Sequence, residues 1–356
     1  MKVALLGLPQ SGKSTLFAAV SGKQAAPMGS TAIEEAIVSV PDERLDWLTA
    51  YCKPRKIVHG TIDCLDVPGL SFADEHGRTA ARRLLSGLRT VDLIVLVVRA
   101  FKDVTVPAYR NRVDTAGDLS ELRTELLLAD LELIETRIER LEKQVNKPTQ
   151  TQSRDRVELA LQLKLREAIE SERPVSTALE TEAEKAMIKS LAFLTQKPFV
   201  VVVNMGEEGL EAGFEPCGKL GQDAPVIALC AKLEHELAQL DAGSRAEFMA
   251  DLGIKESALA MFVNSCYRAL GLISFLTIGP DEVRAWPITA GTIAHDAAGK
   301  VHTDIKRGFI RAETFAYTDL RQYGDEKALK AAGKIRLEGK EYVVRDGDII
   351  NFRFNV

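Results

Sequence analysis

Uninterrupted apolar runs recur along the first two thirds of the chain, separated by polar segments with helical character. The runs are Val3–Leu6, Leu93–Val98, Phe199–Val203 and Pro225–Leu229. Such runs are typical of strands that helices bury on both faces. The pattern predicts an α/β fold with a mostly parallel sheet and helices on both of its faces.

A helical insertion interrupts this pattern, because the interval between Leu96 and Asn204 is far longer than one strand, helix and strand need. Its middle is charged, and its apolar residues alternate spacings of four and three, which is a heptad seam. The seam consists of Leu127, Leu131, Ile134, Ile138, Leu141 and Val145, and a returning helix offers Val157, Leu161, Leu165 and Ala168. We expect an antiparallel hairpin that either packs only on itself or acts as a lever or partner-binding arm.

The pattern changes after Gly271 to that of a small mixed α/β unit. In its last strand Ile350, Phe352, Phe354 and Val356 point to one face, and the residues between them point to the other. Basic and acidic residues almost balance in this unit, so its net charge alone does not indicate nucleic-acid binding.

Composition narrows the class of protein. The 356 residues are 46% hydrophobic with a net charge of −5, which allows two or three domains and excludes a global polycation. The five cysteines and five histidines show no disulfide or zinc spacing. We therefore assign no transition metal and expect a reducing, cytoplasmic location. No signal-peptide pattern or membrane-length apolar stretch is present, so we expect no membrane partner.

A phosphate-binding loop follows the first apolar run. The segment Gly7-Leu8-Pro9-Gln10-Ser11-Gly12-Lys13-Ser14 is a complete G-x-x-x-x-G-K-[ST] motif. In such a loop backbone N–H groups point at phosphate oxygens, the lysine reaches the β- and γ-phosphates, and the serine ligates Mg²⁺. The candidate phosphate-binding residues are Gly7, Pro9, Gln10, Ser11, Gly12, Lys13, Ser14 and Thr15, of which Lys13 is also the candidate catalytic residue.

Two further elements complete a nucleotide switch. The strand Thr61–Asp66 runs into a D-x-x-G turn that ends at Gly69. Asp66 is a candidate Mg²⁺ ligand beside Ser14, and the Gly69 N–H is the candidate sensor of the γ-phosphate. Thr31, in the polar stretch after the first helix, is the candidate switch threonine and a further metal-site residue.

Two loops at the ends of later strands are candidate base-binding elements, because ligands of parallel sheets bind at the carboxyl ends of the strands. The first loop has the N-x-x-[DE] pattern, and the second resembles the S-A-K loop of such NTPases. The candidate residues are Asn204, Met205, Glu207, Cys230, Ala231 and Lys232.

The chain resembles the YchF-type members of the Obg-related P-loop NTPases over its whole length. The resemblance is carried by Gly7–Thr15, Asp66–Leu70, Val97–Phe101, Asn204–Glu207, His302–Asp304, Gly308–Glu313 and Leu337–Asp348. It implies a P-loop NTPase domain with an inserted helical coiled-coil hairpin and a C-terminal β-grasp-like TGS domain. The implied ranges are 1–115 and 186–272 for the NTPase domain, 116–185 for the helical insert and 273–356 for the TGS domain.

The resemblance also implies a nucleotide preference. Family members prefer ATP to GTP through N-x-x-E in place of N-K-x-D, and Glu207 fits the former pattern. An aspartate there pairs with guanine, and one extra methylene displaces the carboxylate by more than a hydrogen bond tolerates. Met205 replaces the lysine and offers an apolar cover for the base. We therefore expect ATP to bind better than GTP.

Several positions depart from the family pattern, and they concern turnover rather than binding. Leu70 stands where a Ras-like NTPase has its water-positioning glutamine, and Leu96 stands where the family carries a histidine. Gln10 stands where many relatives have an asparagine linked to potassium dependence, and the resemblance makes K⁺ a candidate additional ion. His76, in the altered switch segment, is a candidate water-orienting residue, and a solvated loop histidine is the alternative.

These features predict a Mg²⁺-dependent ATPase that is slow on its own and whose switches regulate an interaction with the ribosome or another translation component. The ribosomal partner, and an RNA contact through the TGS domain or the helical insert, are implied by the resemblance alone. The alternatives are a nucleotide-gated adaptor with little or no hydrolysis and an ordinary GTPase.

Overall fold

The computed structural model describes residues 1–25, 27, 29–148, 150–211, 224–251 and 257–355. The strands are β1 (Lys2–Leu6), β2 (Glu34–Ser39), β3 (Lys56–Val58), β4 (Thr61–Asp66), β5 (Leu93–Ala100), β6 (Phe199–Met205), β7 (Val226–Leu229), β8 (Leu272–Thr277), β9 (Glu282–Thr289), β10 (Phe309–Ala316), β11 (Arg336–Glu338) and β12 (Asp348–Phe354). The helices are α1 (Lys13–Ser21), α2 (Glu43–Cys52), α3 (Glu75–Gly87), α4 (Thr115–Val145), α5 (Gln152–Glu170), α6 (Glu182–Ile188), α7 (Glu207–Glu211), α8 (Ala231–Gln239), α9 (Ala242–Asp251), α10 (Ala258–Ala269), α11 (Ala294–Val301), α12 (Thr303–Arg307), α13 (Tyr317–Tyr323) and α14 (Glu326–Ala331). None of the helices in these described ranges is long and apolar enough to cross a membrane.

The chain forms two compact units. The first comprises Met1–Ala36 and Asp63–Leu259, and the second comprises Ile37–Ile62 and the segment from Ala260 onward. The ranges implied by the resemblance placed residues 37–62 in the NTPase domain, and the structure differs at this point. There β3 pairs in parallel with β9 of the second unit, and α2 buries Leu45 in that unit's core. The segment joins the second unit because its apolar side chains are buried there.

The first unit is built on a sheet with the strand order β2-β4-β1-β5-β6-β7, and all neighbours from β4 to β7 run parallel. The inner strands β1, β5 and β6 are buried along most of their length, as their apolar runs predict. The predicted α/β class with a mostly parallel sheet is confirmed. The carboxyl ends of the parallel strands share one edge, which receives the phosphate-binding loop, the D-x-x-G turn and both candidate base-binding loops.

Helix boundaries follow local capping chemistry. Asp74 caps the N-terminus of α3 and Asp114 caps that of α4. Each accepts a hydrogen bond from the N–H of a residue in the first turn. At the C-terminal end of α1, Gly22 has a φ of 67°, a left-handed conformation that glycine adopts without strain. These caps set where the helices that border the site begin and end.

The insertion forms a helical arm, which we define as α4 and α5. Its two helices pack through Ile134 and Ile138 on one side and Leu161 and Leu165 on the other. Val157, expected in the same seam, is 59% exposed. Val157 therefore lies outside the buried seam of the hairpin, and the seam ends before the connection between the two helices.

A buried carboxylate fixes the base of the arm. Asp130 of α4 is fully buried and accepts hydrogen bonds from the Leu194 and Thr195 backbone N–H groups at 3.0 and 2.8 Å. It also accepts one from the Arg89 guanidinium at 2.8 Å, just after α3. Since unpaired buried charges are costly, this network holds the arm in one place on the first unit.

The second unit contains a mixed sheet with the order β11-β10-β12-β8-β9-β3. The pairs β10–β12 and β8–β9 are antiparallel, whereas β12–β8 and β9–β3 are parallel. In β12, Ile350 and Phe352 are buried as the alternation predicts, but Phe354 is 46% exposed at the strand's end. Val356 lies outside the described residues.

We predict that Gln162→Leu stabilises the helical arm. Gln162 is fully buried on α5, and neither its amide nitrogen nor its amide oxygen has a hydrogen-bond partner. A buried unsatisfied amide costs about 1–3 kcal/mol, so an apolar side chain of similar size raises the free energy of unfolding by about 1 kcal/mol. Urea unfolding and hydrogen exchange of the α5 amides measure the change.

The matched control is Gln144→Leu, because Gln144 is exposed on α4. It should alter the free energy of unfolding by less than about 0.5 kcal/mol. If Gln162→Leu instead lowers the free energy of unfolding as much as an ordinary core disruption does, the explanation by an unsatisfied amide is wrong.

Candidate nucleotide-binding site

A cavity of about 1660 Å³ lies at the carboxyl edge of the parallel sheet, within the first unit. It exceeds the roughly 300–1,000 Å³ of an ordinary small-molecule pocket. The predicted site residues that line it are Pro9, Gln10, Gly12, Lys13, Ser14, Thr15, Thr31, Asp66, Gly69, His76, Asn204, Met205, Glu207, Cys230, Ala231 and Lys232. Of the predicted residues, Gly7 and Ser11 do not line it and instead support the loop from behind. Residues far apart in sequence are thus brought to one cavity.

The phosphate-binding loop depends on residues that can approach other backbone closely. A Cβ atom on Gly7 would lie 2.6 Å from the Val97 carbonyl oxygen, which is too close for any side chain. Gln10 and Gly12 both have left-handed backbone conformations, with φ values of 61° and 85°. The loop therefore curls over the end of β1 and delivers the first turn of α1, whose N–H groups have no intrahelical acceptor, to the cavity.

The Asn204 side chain connects the phosphate-binding loop to the candidate base-binding loops. Its Nδ2 donates to the Ser11 carbonyl oxygen at 2.9 Å, and its Oδ1 accepts from the Ala231 N–H at 3.0 Å. A Cβ atom on Gly12 would collide with this same Nδ2, so the loop and the amide fit only because residue 12 is glycine. Asn204 is 4% exposed, and its amide thus connects the β1, β6 and β7 ends of the sheet.

Lys13 and Asp66 form a buried pair of opposite charge at the phosphate end of the cavity. Burial lowers the pKa of Lys13, and the attraction of Asp66 offsets only part of this effect. Burial likewise raises the pKa of Asp66, against a hydrogen bond with Ser14 and the charge of Lys13. Each charged form is therefore held in surroundings that disfavour it, which is common for groups that act on a bound ion or substrate.

The donor set at Asp66 fits a magnesium ion. The Asp66 Oδ1 atom is buried without a hydrogen-bond partner, and the Ser14 hydroxyl lies beside the same carboxylate. Mg²⁺ prefers a small number of carboxylate and hydroxyl ligands and completes its shell with phosphate oxygens and water. Among the described residues no cluster of three or more His, Cys, Asp or Glu is placed to hold a metal ion.

The D-x-x-G turn docks directly on the phosphate-binding loop. The Leu70 N–H donates to the Gly7 carbonyl oxygen at 3.0 Å. A Cβ atom on Gly69 would lie 2.9 Å from the Pro9 Cα, so a side chain at this position would push the two loops apart. The turn is therefore held directly against the phosphate-binding loop.

Neither leucine at the departing positions faces the cavity. Leu70 is 1% exposed and Leu96 is fully buried, and both belong to the apolar core beneath the sheet edge. His76 is exposed in the first turn of α3 and lines the cavity, as does Arg83 two turns further along. The cavity is thus lined on this side by polar side chains of α3 and by neither of the two leucines.

Phe101 lines the cavity and the buried Arg99 contacts its ring, although sequence reasoning gave neither residue a role in the site. The Arg99 guanidinium donates to the Gln10 and Val106 carbonyl oxygens at 3.1 and 2.8 Å, and it lies 4.0 Å from the centre of the Phe101 ring. Arg99 is 4% exposed. An arginine at the carboxyl end of an otherwise apolar, buried strand was the signal that could have marked it.

The remaining base-binding candidates also line the cavity. Cys230 is buried at the N-terminus of α8, which presents the Ala231 N–H to Asn204. Lys232 Nζ lies 3.9 Å from a Glu207 carboxylate oxygen, and both side chains are exposed. A surface ion pair of this length is weak, so the Glu207 carboxylate remains available to a ligand.

We predict that Asn204→Asp weakens nucleotide binding by about tenfold or more, because it replaces a buried donor with a carboxylate facing the Ser11 carbonyl. Isothermal titration with a non-hydrolysable ATP analogue measures the loss. The control is Asn351→Asp, which makes the same change at an exposed position of β12. Equal affinities of the two variants would show that the Asn204 bridge does not shape the site.

Comparisons with known proteins show which family the chain resembles. A family model described as a 50S ribosome-binding GTPase matches residues 2–205, and the YchF-GTPase_C model, described as a protein of unknown function, matches residues 272–355. The chain is 41% identical to the ribosome-binding ATPase YchF of Bacillus subtilis, with 100% of both chains covered. It is 36% identical to the Obg-like ATPase 1 of Oryza sativa subsp. japonica, with 100% of this chain and 92% of the relative covered.

Solved structures lead to the same family. The YchF GTPase of Schizosaccharomyces pombe is 33% identical, with a TM-score of 0.86 over 99% of this chain and 97% of that one. A GTP binding protein from Pyrococcus horikoshii, 18% identical with a TM-score of 0.53, shares the fold. The phosphate-binding loop, the D-x-x-G turn and these full-length similarities together show that the chain belongs to the YchF family of P-loop NTPases.

Proposed function

We propose that this chain hydrolyses ATP with Mg²⁺ and that the bound nucleotide controls its association with the ribosome. One observation carries the proposal: Lys13 and Asp66 are buried together in front of a phosphate-binding loop, and one Asp66 oxygen is unpartnered. An ammonium and a metal-ligating carboxylate at one phosphate site are what phosphoryl transfer to water requires.

Ser14 and Asp66 would hold the metal, and Thr31 would join them from the loop that lines the cavity. The ion, when bound, neutralises charge on the β- and γ-phosphates. The N–H groups at the start of α1 bind the phosphate oxygens, and Lys13 stabilises negative charge as the bond to the γ-phosphate breaks. The Gly69 N–H senses the γ-phosphate and loses that contact after hydrolysis.

A low intrinsic rate belongs to the same proposal. The positions that would orient the attacking water carry Leu70 and Leu96, and both side chains are buried in the apolar core. His76 is the available substitute, because it is exposed and lines the cavity from α3. A histidine ring there can both donate and accept hydrogen bonds, which suits it to orienting water.

The proposed preference for ATP rests on the base end of the cavity. Glu207 is one methylene too long for the two hydrogen bonds that an aspartate makes with guanine. Met205 and Phe101 both line the cavity and offer apolar surface for the base. The curated relatives named above are called ATPases, whereas the matched family model and the solved yeast relative are called GTPases.

The ribosome is proposed as the partner because the Bacillus relative is named for binding it and the family model that matches residues 2–205 is described in the same terms. A cytoplasmic location follows from that partner. A nucleotide-gated adaptor with little hydrolysis is the second candidate function, and the burial of Leu70 and Leu96 favours it.

Single-turnover phosphate release from ATP and GTP tests these proposals, with Mg²⁺, with and without K⁺, and with and without ribosomes. We expect release from ATP, acceleration by ribosomes, and none in Lys13→Ala, while His76→Ala reduces the rate without changing affinity. Tight ATP binding with no release under any condition would replace the ATPase with the adaptor. Equal rates with GTP would remove the base preference.

We predict that Asp66→Asn stabilises the nucleotide-free chain at pH 7. Burial raises the pKa of Asp66 in the folded chain, so the folded state disfavours the carboxylate above the ordinary pKa near 3.8. The penalty is absent at lower pH, where Asp66 is protonated in both states. The penalty grows as the pH rises from the ordinary pKa to the raised folded pKa, and it is complete above the folded pKa. Thermal unfolding between about pH 4 and pH 7 should therefore show a gain that grows with pH.

The same variant should lose the Mg²⁺-dependent stabilisation by an ATP analogue. Asp63→Asn is the control, because Asp63 lies on the same strand but is half-exposed and paired with the N-terminal ammonium at 3.4 Å. A gain in Asp63→Asn equal to that in Asp66→Asn, or one that does not depend on pH, would contradict the buried-carboxylate explanation.

A further inference from the structure

The segment that follows the D-x-x-G turn is anchored at Phe72. This residue is 1% exposed in the core of the first unit, and its backbone N–H donates to the Tyr109 hydroxyl at 2.8 Å. Its carbonyl oxygen accepts from the Arg110 guanidinium at 3.1 Å and from the Arg78 guanidinium at 3.1 Å. Side chains therefore bind both backbone polar groups of Phe72, and two of them come from a turn that is distant in sequence.

Tyr109 and Arg110, which we call the switch clamp, lie in a short turn between β5 and α4. Arg110 and the following Asn111 have φ values of 53° and 55°, in the left-handed region that side chains other than glycine rarely adopt. Asparagine tolerates this region better than arginine does. Such a conformation persists only where surrounding contacts determine it. The contacts of the switch clamp therefore outweigh the local backbone preference.

A carboxylate of α4 orients the Arg110 guanidinium. The two terminal nitrogens of Arg110 lie 3.0 and 2.9 Å from the two carboxylate oxygens of Glu121. A bidentate pair of this kind fixes the plane of the guanidinium, and the Nη2 atom keeps a second hydrogen for the Phe72 carbonyl oxygen. The guanidinium also lies 5.0 Å from the centre of the Tyr109 ring, so the two clamp residues support each other.

The clamp acts close to the candidate sensor of the γ-phosphate, because Phe72 lies three residues after Gly69. Between them the Leu70 N–H donates to the Gly7 carbonyl oxygen of the phosphate-binding loop at 3.0 Å. The turn is thus tied at two points, to the loop through Leu70 and to the clamp through Phe72. Protein groups alone make both ties, so they fix the position of the Gly69 N–H independently of a phosphate.

We propose that Tyr109 and Arg110 are positioning residues that keep the D-x-x-G turn docked on the phosphate-binding loop and thereby raise the affinity for a nucleoside triphosphate. The inference deepens the proposed function, because it rests on the γ-phosphate contact of the Gly69 N–H. A docked turn binds the γ-phosphate without a further ordering cost, whereas a loose turn must first be ordered. A diphosphate lacks that phosphate, so its affinity does not depend on the clamp.

The first test removes one hydroxyl group. Tyr109→Phe deletes the acceptor of the Phe72 N–H and keeps the ring that packs on the core. Tyr323→Phe is the control, the same change at a tyrosine of α13 that is 37% exposed. Isothermal titration with Mg²⁺ measures the affinities for a non-hydrolysable ATP analogue and for ADP. We expect Tyr109→Phe to bind the analogue about three- to tenfold more weakly and ADP within about twofold of the unaltered chain, and the control to change neither.

The second test places glycine at each left-handed position of the clamp turn. Arg110→Gly removes the guanidinium that binds Phe72, whereas Asn111→Gly changes only the backbone preference and leaves both clamp residues in place. Both glycines fit the left-handed conformation without strain. We expect Arg110→Gly to lose at least about threefold in analogue affinity with ADP binding unchanged, and Asn111→Gly to bind both nucleotides like the unaltered chain.

Hydrogen exchange of the nucleotide-free chain measures the docking itself. Peptides that cover residues 69–77 should exchange faster in Tyr109→Phe and Arg110→Gly than in the unaltered chain or in either control. A role in general stability alone would instead weaken analogue and ADP binding equally. Such equal losses, unchanged affinities and exchange in both clamp variants, or tighter binding of the analogue would each overturn the proposal.

Phosphate release on the same preparations separates this inference from the proposed function. If the unaltered chain prefers the analogue to ADP and releases phosphate from ATP while the clamp variants do so equally, the clamp assignment fails and the proposed function stands. If the unaltered chain releases no phosphate and the clamp variants lose analogue affinity selectively, the proposed hydrolysis fails and the positioning role of Tyr109 and Arg110 stands.

Discussion

The site depends on one buried amide. Asn204 bonds the Ser11 carbonyl with one end of its side chain and the Ala231 N–H with the other, so three loops from three strands hold one geometry. Both bonds lie out of water, where a broken partner costs more than a formed bond contributes. Glycine at position 12 follows from the same contact, because a side chain there would occupy the space of the amide. The motif residues are thus constrained by packing as well as by phosphate chemistry.

The phosphate end and the helical arm are joined through contiguous contacts. The D-x-x-G turn leads into α3, and Arg89, just after α3, donates to Asp130 of the arm at 2.8 Å. Arg82 of α3 also lies 3.7 Å from Glu132 of α4. A change in the turn that moves α3 must therefore either carry the base of the arm with it or break a buried ion pair, which is costly. Nucleotide state and arm position are coupled to the extent that α3 has two arrangements.

Much of this organisation was accessible from sequence because its signals are local. The phosphate-binding loop, the buried strands and the hairpin each carry a short-range pattern, and the predicted fold class is confirmed. Other features depend on contacts distant in sequence. The segment from Ile37 to Ile62 joins the second unit through β3 and α2, which only the pairing with β9 and the core around Leu276 reveal. The Arg99 guanidinium donates hydrogen bonds to three backbone carbonyl oxygens, and no spacing rule in the sequence connects them to it.

Leu70 and Leu96, the two leucines that depart from the family pattern, affect how the proposed nucleotide switch operates. A nucleotide-free site that keeps Lys13 and Asp66 buried carries an electrostatic penalty, and phosphate with a metal relieves it. Under the proposed function, relief of this penalty favours binding, whereas Leu70 and Leu96 contribute nothing polar to the attack on the γ-phosphate. Under the proposed function, the triphosphate state persists until a group that orients water is supplied, either by α3 after it moves or by the partner. The duration of the bound state then depends on contact with that partner rather than on the chain alone.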